Sequence, residues 1–164
     1  MKDVLLTIDT EGPRGSDPIK YQVWGDVDGE NYGIPKIIEC CDRCGIKGLF
    51  FVDIPEVWDY GYEKVEKVIH YIIDRGHDVG VHIHLHHFPG ENRQFLYEYS
   101  REEQRKIIQD CTDIYQKITG KRPYSFRAGK YGANMETLEI LQELGYKYDF
   151  SEFYSNKWCG INRK

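Results

Sequence analysis

Residues 65–83 read VEKVIHYIIDRGHDVGVHI, a stretch in which a helical pattern is followed directly by a strand pattern. Apolar residues recur at helix spacing from Val65 to Ile73, and Gly76 follows the last turn, where a left-handed residue commonly ends a helix. The short apolar run Val79–Ile83 is then typical of a buried strand. These residues therefore predict one α-helix that leads through a tight turn into one β-strand.

The same alternation extends in both directions along the chain. Further strands are predicted at Val4–Asp9, Gly48–Ile54, Tyr124–Ala128 and Tyr146–Ser151. Further helices are predicted near Ile34–Cys44, from the capping box Ser100–Glu103 to Gly120, and from Asn134 to Leu144. This alternation predicts an α/β fold with a parallel sheet. The longest irregular stretches, residues 10–33 and 87–99, follow strand ends, where such folds place their binding loops.

Length and charge limit the classes of function. At 164 residues the chain is long enough for one domain with a core, which we assign to residues 1–164. Charged residues make up 30% of the chain and are interspersed, with a net charge of −5, which argues against a nucleic-acid partner. The first apolar run is too short for a signal-peptide core, and no segment approaches the roughly 18 apolar residues of a membrane span. We expect a soluble, cytoplasmic protein.

The five cysteines do not suggest a disulfide framework, because their number is odd and the chain is long enough to have a core. Cys41 and Cys44 have C-x-x-C spacing. The pair lies late in a predicted helix, whereas redox motifs usually lie at a helix start, and no second pair follows at zinc-ribbon distance. We predict that these cysteines are structural.

Two clusters of polar residues follow predicted strands. Asp9 and Glu11 end the first apolar run, and His82, His84 and His86 follow the third. Asp9 and Glu11 face one side of an extended segment, and His82 stays with His86 whether their segment is extended or helical. Two histidines and a carboxylate can hold a divalent ion with open positions, while a second carboxylate acts as general base. The leading hypothesis is metal-dependent hydrolysis.

Arg127 lies at the end of the fourth predicted strand, in the segment Ser125–Gly132. Gly129 and Gly132 suggest a tight backbone turn after it. Such a turn can point backbone N–H groups at a developing oxyanion.

Four short motifs carry a resemblance to a known family. They are TIDTEG at 7–12, HIHLH at 82–86, FRAGKYG at 126–132 and YDFS at 148–151. In order, spacing and position after strands they resemble the motifs of the NodB-like polysaccharide deacetylases, a carbohydrate esterase family. The resemblance runs from residue 4 to about residue 152 and implies a distorted (β/α) barrel. The five predicted strands are fewer than the family's seven or eight, so we expect an incomplete barrel that lacks the C-terminal strands.

The resemblance also implies a reaction and a site. Glu11, His82 and His86 would bind a divalent metal ion, most readily zinc, and Asp9 would be the general base. The implied reaction is hydrolysis of an acetyl group, commonly an N-acetyl amide on a sugar, so the expected partner is an acetylated sugar or glycan. The family's adjacent Asp-Asp is replaced here by Asp9-Thr-Glu11.

Residues of the third and fourth motifs receive supporting roles from the resemblance. Arg127 would orient and charge-balance Asp9, and Asp149 would pair with Arg127. A backbone N–H near Lys130 or Tyr131 would help to bind the oxyanion.

In the family, the histidine of a late Leu-x-His segment supplies the general acid. This chain departs from that pattern, because no histidine follows His87. His84 and His87 are nearby candidates for a substitute acid. An incomplete barrel would also leave an exposed sheet edge, which a homo-oligomer would cover. The alternatives are therefore a catalytically impaired metal- or glycan-binding relative, or a hydrolase of another linear or cyclic amide. A non-haem iron oxygenase is disfavoured because its cupin-like scaffold would need an all-β pattern.

Overall fold

A computed structural model describes residues 4–12, 15–88, 90 and 92–161. The chain divides between Val79 and Gly80 into two compact units. Each unit alternates strands with helices, so the predicted α/β class is confirmed. Residues 13 and 14 of the loop predicted after the first strand lie outside the described residues.

In its described residues, the first unit is built around two parallel strands and three α-helices. Its strands are β1 (Leu6–Thr10), β2 (Asp26–Val27), β3 (Glu30–Asn31) and β4 (Gly48–Asp53), and its helices are α1 (Ile34–Cys44), α2 (Glu56–Tyr60) and α3 (Tyr62–Asp74). β1 and β4 pair in parallel with Leu6 opposite Gly48, whereas β2 and β3 form a short antiparallel pair. All six residues of β4 are buried, as expected for a parallel strand that is covered on both faces.

The predicted helices of this unit are confirmed. α1 ends at Gly45, which is left-handed with φ of 64°. α3 buries its apolar stripe, including Val65 and Ile72. Residues 10–33, predicted to be irregular, contain a π-helical turn at Ile19–Val23 and the β2–β3 pair.

The second unit begins within a strand that crosses the division. Its strands are β5 (Asp78–Ile83), β6 (Ser125–Ala128) and β7 (Tyr148–Asp149); its helices are α4 (Arg101–Thr119) and α5 (Met135–Glu143); and its 3₁₀ turns are Leu85–His87, Leu96–Glu98 and Gly129–Tyr131. β5 pairs in parallel with β6, and β6 in parallel with β7. The carboxyl ends of these strands therefore point the same way.

Both helices of this unit begin at the predicted caps. Ser100 and Glu103 form a reciprocal capping box at the start of α4, and the Ser100 N–H donates to Glu103 Oε2 over 2.8 Å. Asn134 Oδ1 accepts the Thr137 N–H at the start of α5 over 3.0 Å. α4 then ends at left-handed Gly120, as predicted.

The last strand is shorter than predicted, because the backbone N–H groups of Tyr146 and Ser151 donate to the Leu141 carbonyl and to Asp149 Oδ2 instead of to a neighbouring strand. The buried Tyr146 hydroxyl lies 2.7 Å from Thr112 Oγ1, which itself donates to the Ile108 carbonyl. The Tyr146 hydroxyl must therefore be the donor, and burial raises its pKa. Only Tyr148 and Asp149 remain in ladder geometry.

The cysteines were predicted to be structural, and no membrane span was expected. Cys41 is buried, Cys40 and Cys44 are exposed on α1, and none of the five described cysteines forms a disulfide. In the described part of the chain, no helix combines the length and the apolar character needed to cross a membrane.

Candidate metal and catalytic site

The two carboxylates of the first motif lie at the carboxyl end of β1. Asp9 is an exposed residue of β1, opposite Phe51 of β4 in the register, and Glu11 is half-buried directly after the strand. Thr10 between them is buried, as expected from the alternation of side chains along a strand. Asp9 and Glu11 therefore lie next to each other on the same face of the extended segment, as their spacing predicted.

Gly12, the last residue of this motif, fixes the chain after Glu11. Its N–H donates to Glu56 Oε1 over 2.5 Å, and its carbonyl accepts the Tyr60 hydroxyl over 3.2 Å. A Cβ on Gly12 would lie 2.6 Å from the Cβ of Pro18, so only glycine fits. Glu56 and Tyr60 were not predicted as site residues, although Pro55 followed by an acid is a helix-start signal.

His82 of the second motif is held by the backbone of the neighbouring strand. It is 2% exposed on β5 and lies opposite Arg127 of β6 in the parallel register. Its Nδ1 lies 2.8 Å from the Arg127 carbonyl oxygen, which can only accept. Nδ1 therefore carries the proton, and Nε2 carries the lone pair with which a neutral imidazole binds a metal.

The chain stays extended at His84 and leaves the extended conformation after it. A 3₁₀ turn at Leu85–His87 includes half-buried His86. The ring centroids of His82 and His84 are 4.8 Å apart, and those of His84 and His86 are 5.3 Å apart. His84 thus lies between the two predicted ligands, and a ring nitrogen of His84 comes within 4.8 Å of one of His82.

Arg127 and Asp149 interact within the second unit. Arg127 is 9% exposed on β6, and its Nε donates to the Phe150 carbonyl over 3.3 Å. Burial raises the pKa of the Asp149 carboxyl, while hydrogen bonds from Ser151 and the charge of Arg127 oppose that shift. Asp149 therefore carries a desolvation cost that its neighbours reduce.

Ser151 connects Asp149 to the end of β6. Its hydroxyl donates to Asp149 Oδ1 over 2.6 Å and accepts the Ala128 N–H over 2.8 Å. Its own N–H donates to Asp149 Oδ2 over 3.0 Å. Sequence reasoning did not assign this residue, although an Asp followed two positions later by Ser is a common local hydrogen-bonding pattern.

The turn predicted after Arg127 is present and strained. Lys130 and Tyr131 are consecutive left-handed residues with φ of 54° and 57°, a conformation that costs roughly 1–2 kcal/mol per non-glycine residue. Gly129 and Gly132 instead allow neighbouring atoms to pack closely against the turn. A Cβ on Gly129 would lie 2.6 Å from the Ile83 carbonyl oxygen, and one on Gly132 would lie 2.8 Å from the Phe95 ring.

The donor chemistry of the second unit fits a divalent ion such as zinc. A backbone carbonyl that accepts from Nδ1 is a usual way to orient a metal-binding histidine. His82 has this arrangement, and two more imidazoles follow it closely. Imidazole nitrogens together with a carboxylate are a common zinc donor set.

Similarity to known proteins agrees with these motifs. The model of the polysaccharide deacetylase family matches residues 2–148. A peptidoglycan deacetylase-like protein of Gibberella zeae is 26% identical over 119 residues, which cover 73% of this chain and 32% of that protein. The chain thus spans about a third of the length of that curated relative.

Solved structures share the fold. A peptidoglycan deacetylase from Bacillus subtilis matches with a TM-score of 0.55 and 23% identity, over 88% of this chain and 55% of that chain. A CE4 family pseudoenzyme from Bacillus anthracis matches with a TM-score of 0.60 and 18% identity, over 88% of this chain and 41% of that chain. The NodB-homology fold type predicted from the sequence is therefore confirmed.

Proposed function

Because the chain belongs to the polysaccharide deacetylase family, we propose that it removes acetyl groups from N-acetylated sugars or a polysaccharide by metal-dependent hydrolysis. The observation that carries the proposal is the orientation of His82 by the Arg127 carbonyl, which suits Nε2 to metal binding. The name of the relative from Gibberella zeae supports peptidoglycan as one candidate substrate.

We assign Glu11, His82 and His86 as the metal ligands and Asp9 as the general base. A bound divalent ion polarises a carbonyl oxygen and lowers the pKa of water toward neutrality. The Asp9 carboxylate accepts the proton that the attacking water loses, since a carboxylate close to the nucleophile can serve as its base. Asp9 is exposed, which leaves its carboxylate accessible to the reacting groups.

The third and fourth motifs position the reacting groups. Arg127 orients and charge-balances the Asp9 carboxylate, and Asp149 with Ser151 holds the end of β6 in place. The backbone N–H of Lys130 or Tyr131 donates to the oxyanion that the acetyl carbonyl oxygen becomes when water attacks the carbonyl carbon. The strain in the turn Gly129–Tyr131 supports this role, because strained conformations cluster at active sites.

Acetate release from N-acetylglucosamine oligomers, measured with and without added zinc, tests the proposed reaction. Asp9→Asn should lower kcat by at least about 100-fold, the lower end for loss of a general base. Asp113→Asn, at an exposed position on α4, is the matched control and should leave kcat unchanged. Equal kcat values for the two variants would contradict the assignment of Asp9.

The ligand assignment within the histidine cluster needs its own comparison, because His84 lies between His82 and His86. His86→Ala should weaken zinc binding in equilibrium dialysis by at least about tenfold, whereas His84→Ala should retain it. The opposite result would assign His84 as the ligand.

A second candidate is a relative that binds metal or glycan without turnover. One observation favours it: the same fold occurs in a pseudoenzyme. Zinc binding without acetate release from any of a panel of acetylated sugars would support this candidate. Three other expectations from the sequence stay predictions. They are hydrolysis of another linear or cyclic amide, a cytoplasmic location and a homo-oligomeric state.

A further inference from the structure

A cavity in the second unit lies beside the strained turn after β6. It has a volume of about 680 Å³, within the roughly 300–1,000 Å³ typical of small-molecule sites. Three of its lining side chains are aromatic, those of Phe95, Tyr131 and Trp158, and the other five are polar. Lys130 and Tyr131 belong both to the cavity wall and to the third motif. The cavity therefore adjoins the segment that we assign to catalysis.

Three stacked rings form one side of this region, and we call them the aromatic platform: Tyr97, Phe95 and Trp158. The Phe95 ring lies 5.0 Å from the Tyr97 ring at 6° and 5.6 Å from the Trp158 ring at 15°. Gly132 seats Phe95, since a Cβ there would come within 2.8 Å of its ring. Trp158 nevertheless remains 45% exposed. An exposed ring on a rigid support suits the apolar C–H face of a sugar ring.

The charges around the platform favour an anionic ligand. The Lys130 ammonium donates to the neutral Gln94 amide, and no carboxylate among the described residues pairs with it. Glu98 also lines the cavity, but its Oε2 accepts the N–H groups of Gln94 and Phe95 over 2.7 and 2.8 Å. A second ammonium, that of Lys157, lies 4.5 Å from the Trp158 ring centroid.

We propose that this cavity is a binding subsite for a carboxylate-bearing stretch of N-acetylated glycan. The proposal rests on the proposed function in taking a glycan as the substrate. One sugar ring lies against the aromatic platform, with Lys157 displaced from the Trp158 face, and the Lys130 ammonium pairs with the carboxylate. A neutral glycan would contact the platform but would leave the ammonium without a counter-charge.

Isothermal titration calorimetry of the whole chain tests this subsite, with Asp9→Asn present so that no ligand is hydrolysed. The probes are a hyaluronan tetrasaccharide, a tetrasaccharide of alternating N-acetylglucosamine and N-acetylmuramic acid, and an N-acetylglucosamine tetramer. At least one acidic probe should bind about tenfold more tightly than the neutral tetramer. The two acidic probes distinguish a uronate from a lactyl ether carboxylate.

Two substitutions separate the platform from the charge. Trp158→Ala should weaken the binding of every probe by about tenfold, and Trp158→Phe should restore much of it. Lys130→Met should remove the preference for the acidic probe. Trp58→Ala on α2 and Lys106→Met on α4, both at exposed positions outside the cavity, are the matched controls and should bind like the parent.

Three results would overturn the proposal. They are equal affinity for the acidic and neutral probes, equal effects of Trp158→Ala and Trp58→Ala on binding, and the absence of any binding. Circular dichroism of each variant establishes that it is folded. Failure of the proposed function is a separate result, because it would abolish acetate release by the parent chain without affecting these affinities.

Discussion

Two buried histidines use their ring nitrogens in opposite ways. His77, which precedes β5, accepts the Gly48 N–H at Nδ1 over 3.0 Å, and its Nε2 lies 3.3 Å from Asp42 Oδ1. His82, near the end of β5, donates from Nδ1 to the Arg127 carbonyl over 2.8 Å. In the first case the proton must lie on Nε2, and in the second it must lie on Nδ1.

We propose that this difference separates a structural histidine, His77, from a metal ligand, His82. His77 has a protein partner at each ring nitrogen, and Phe50 packs edge-on against its ring at 5.7 Å. His82 is also buried, but its tautomer leaves the lone pair on Nε2, and the centroid of the His84 ring lies 4.8 Å from that of His82. Burial alone therefore does not distinguish the two histidines, whereas the backbone group that faces Nδ1 determines which ring nitrogen keeps a lone pair for a metal ion.

The largest expected effect is on metal affinity. His82→Ala should weaken zinc binding by more than about 100-fold, because loss of even an outer-shell partner costs 10–100-fold. His77→Ala should leave zinc affinity unchanged in the same equilibrium dialysis. If both variants lose zinc equally, the distinction between the two histidines is wrong.

The second effect is on stability and should fall on the other histidine. His77→Ala leaves the buried Gly48 N–H without its acceptor and should lower the free energy of unfolding by about 2–4 kcal/mol. His77→Asn is the matched variant, because its Oδ1 can take the place of Nδ1 and should restore part of the loss. Urea unfolding monitored by circular dichroism measures both. A His77→Ala variant as stable as the parent would remove the structural role.

The third effect is a pH dependence of stability that is due to Asp149, which interacts with Arg127. The folded pKa of Asp149 is raised above 3.8, with burial as the main cause. Between 3.8 and that higher pKa the folded state binds more protons than the unfolded state, so the free energy of unfolding falls as pH rises through this interval. Asp149→Asn should flatten that slope in urea titrations at several pH values, whereas Asp113→Asn should not. An unchanged slope in Asp149→Asn would contradict the pKa direction.

Long elements with local signals could be predicted from the sequence. The capping box at Ser100 and the cap at Asn134 each use side chains within three residues of the helix start, so the chain itself carries the evidence. Short helices and strands could not be predicted in this way, because they depend on contacts with residues far away in the sequence. α2 begins at Glu56, whose buried carboxylate binds the Gly12 N–H 44 residues away, and no periodicity encodes that contact.

The candidate site residues divide in the same way into features that the sequence predicts and features that it does not. The motif spacing identified Asp9, Glu11 and His82 as candidates, because their residue types and strand-end positions are visible in sequence. The partner of His82 could not be predicted, since it depends on the register that places His82 opposite Arg127. Likewise, the sequence suggested that Gly129 and Gly132 allow unusual backbone angles, whereas the left-handed residues are Lys130 and Tyr131.

The smallest expected effect tests which of the two contacts of His77 matters. The Asp42 side chain is 55% exposed, so its interaction with Nε2 is screened by solvent, and exposed pairs contribute about 0–1 kcal/mol. Asp42→Asn keeps an acceptor oxygen and should therefore lower the free energy of unfolding by less than about 0.5 kcal/mol. A loss as large as that of His77→Ala would mean that His77 is charged and held by Asp42. Its Nδ1 would then carry a proton and could not accept from Gly48, so the contrast with His82 would fail.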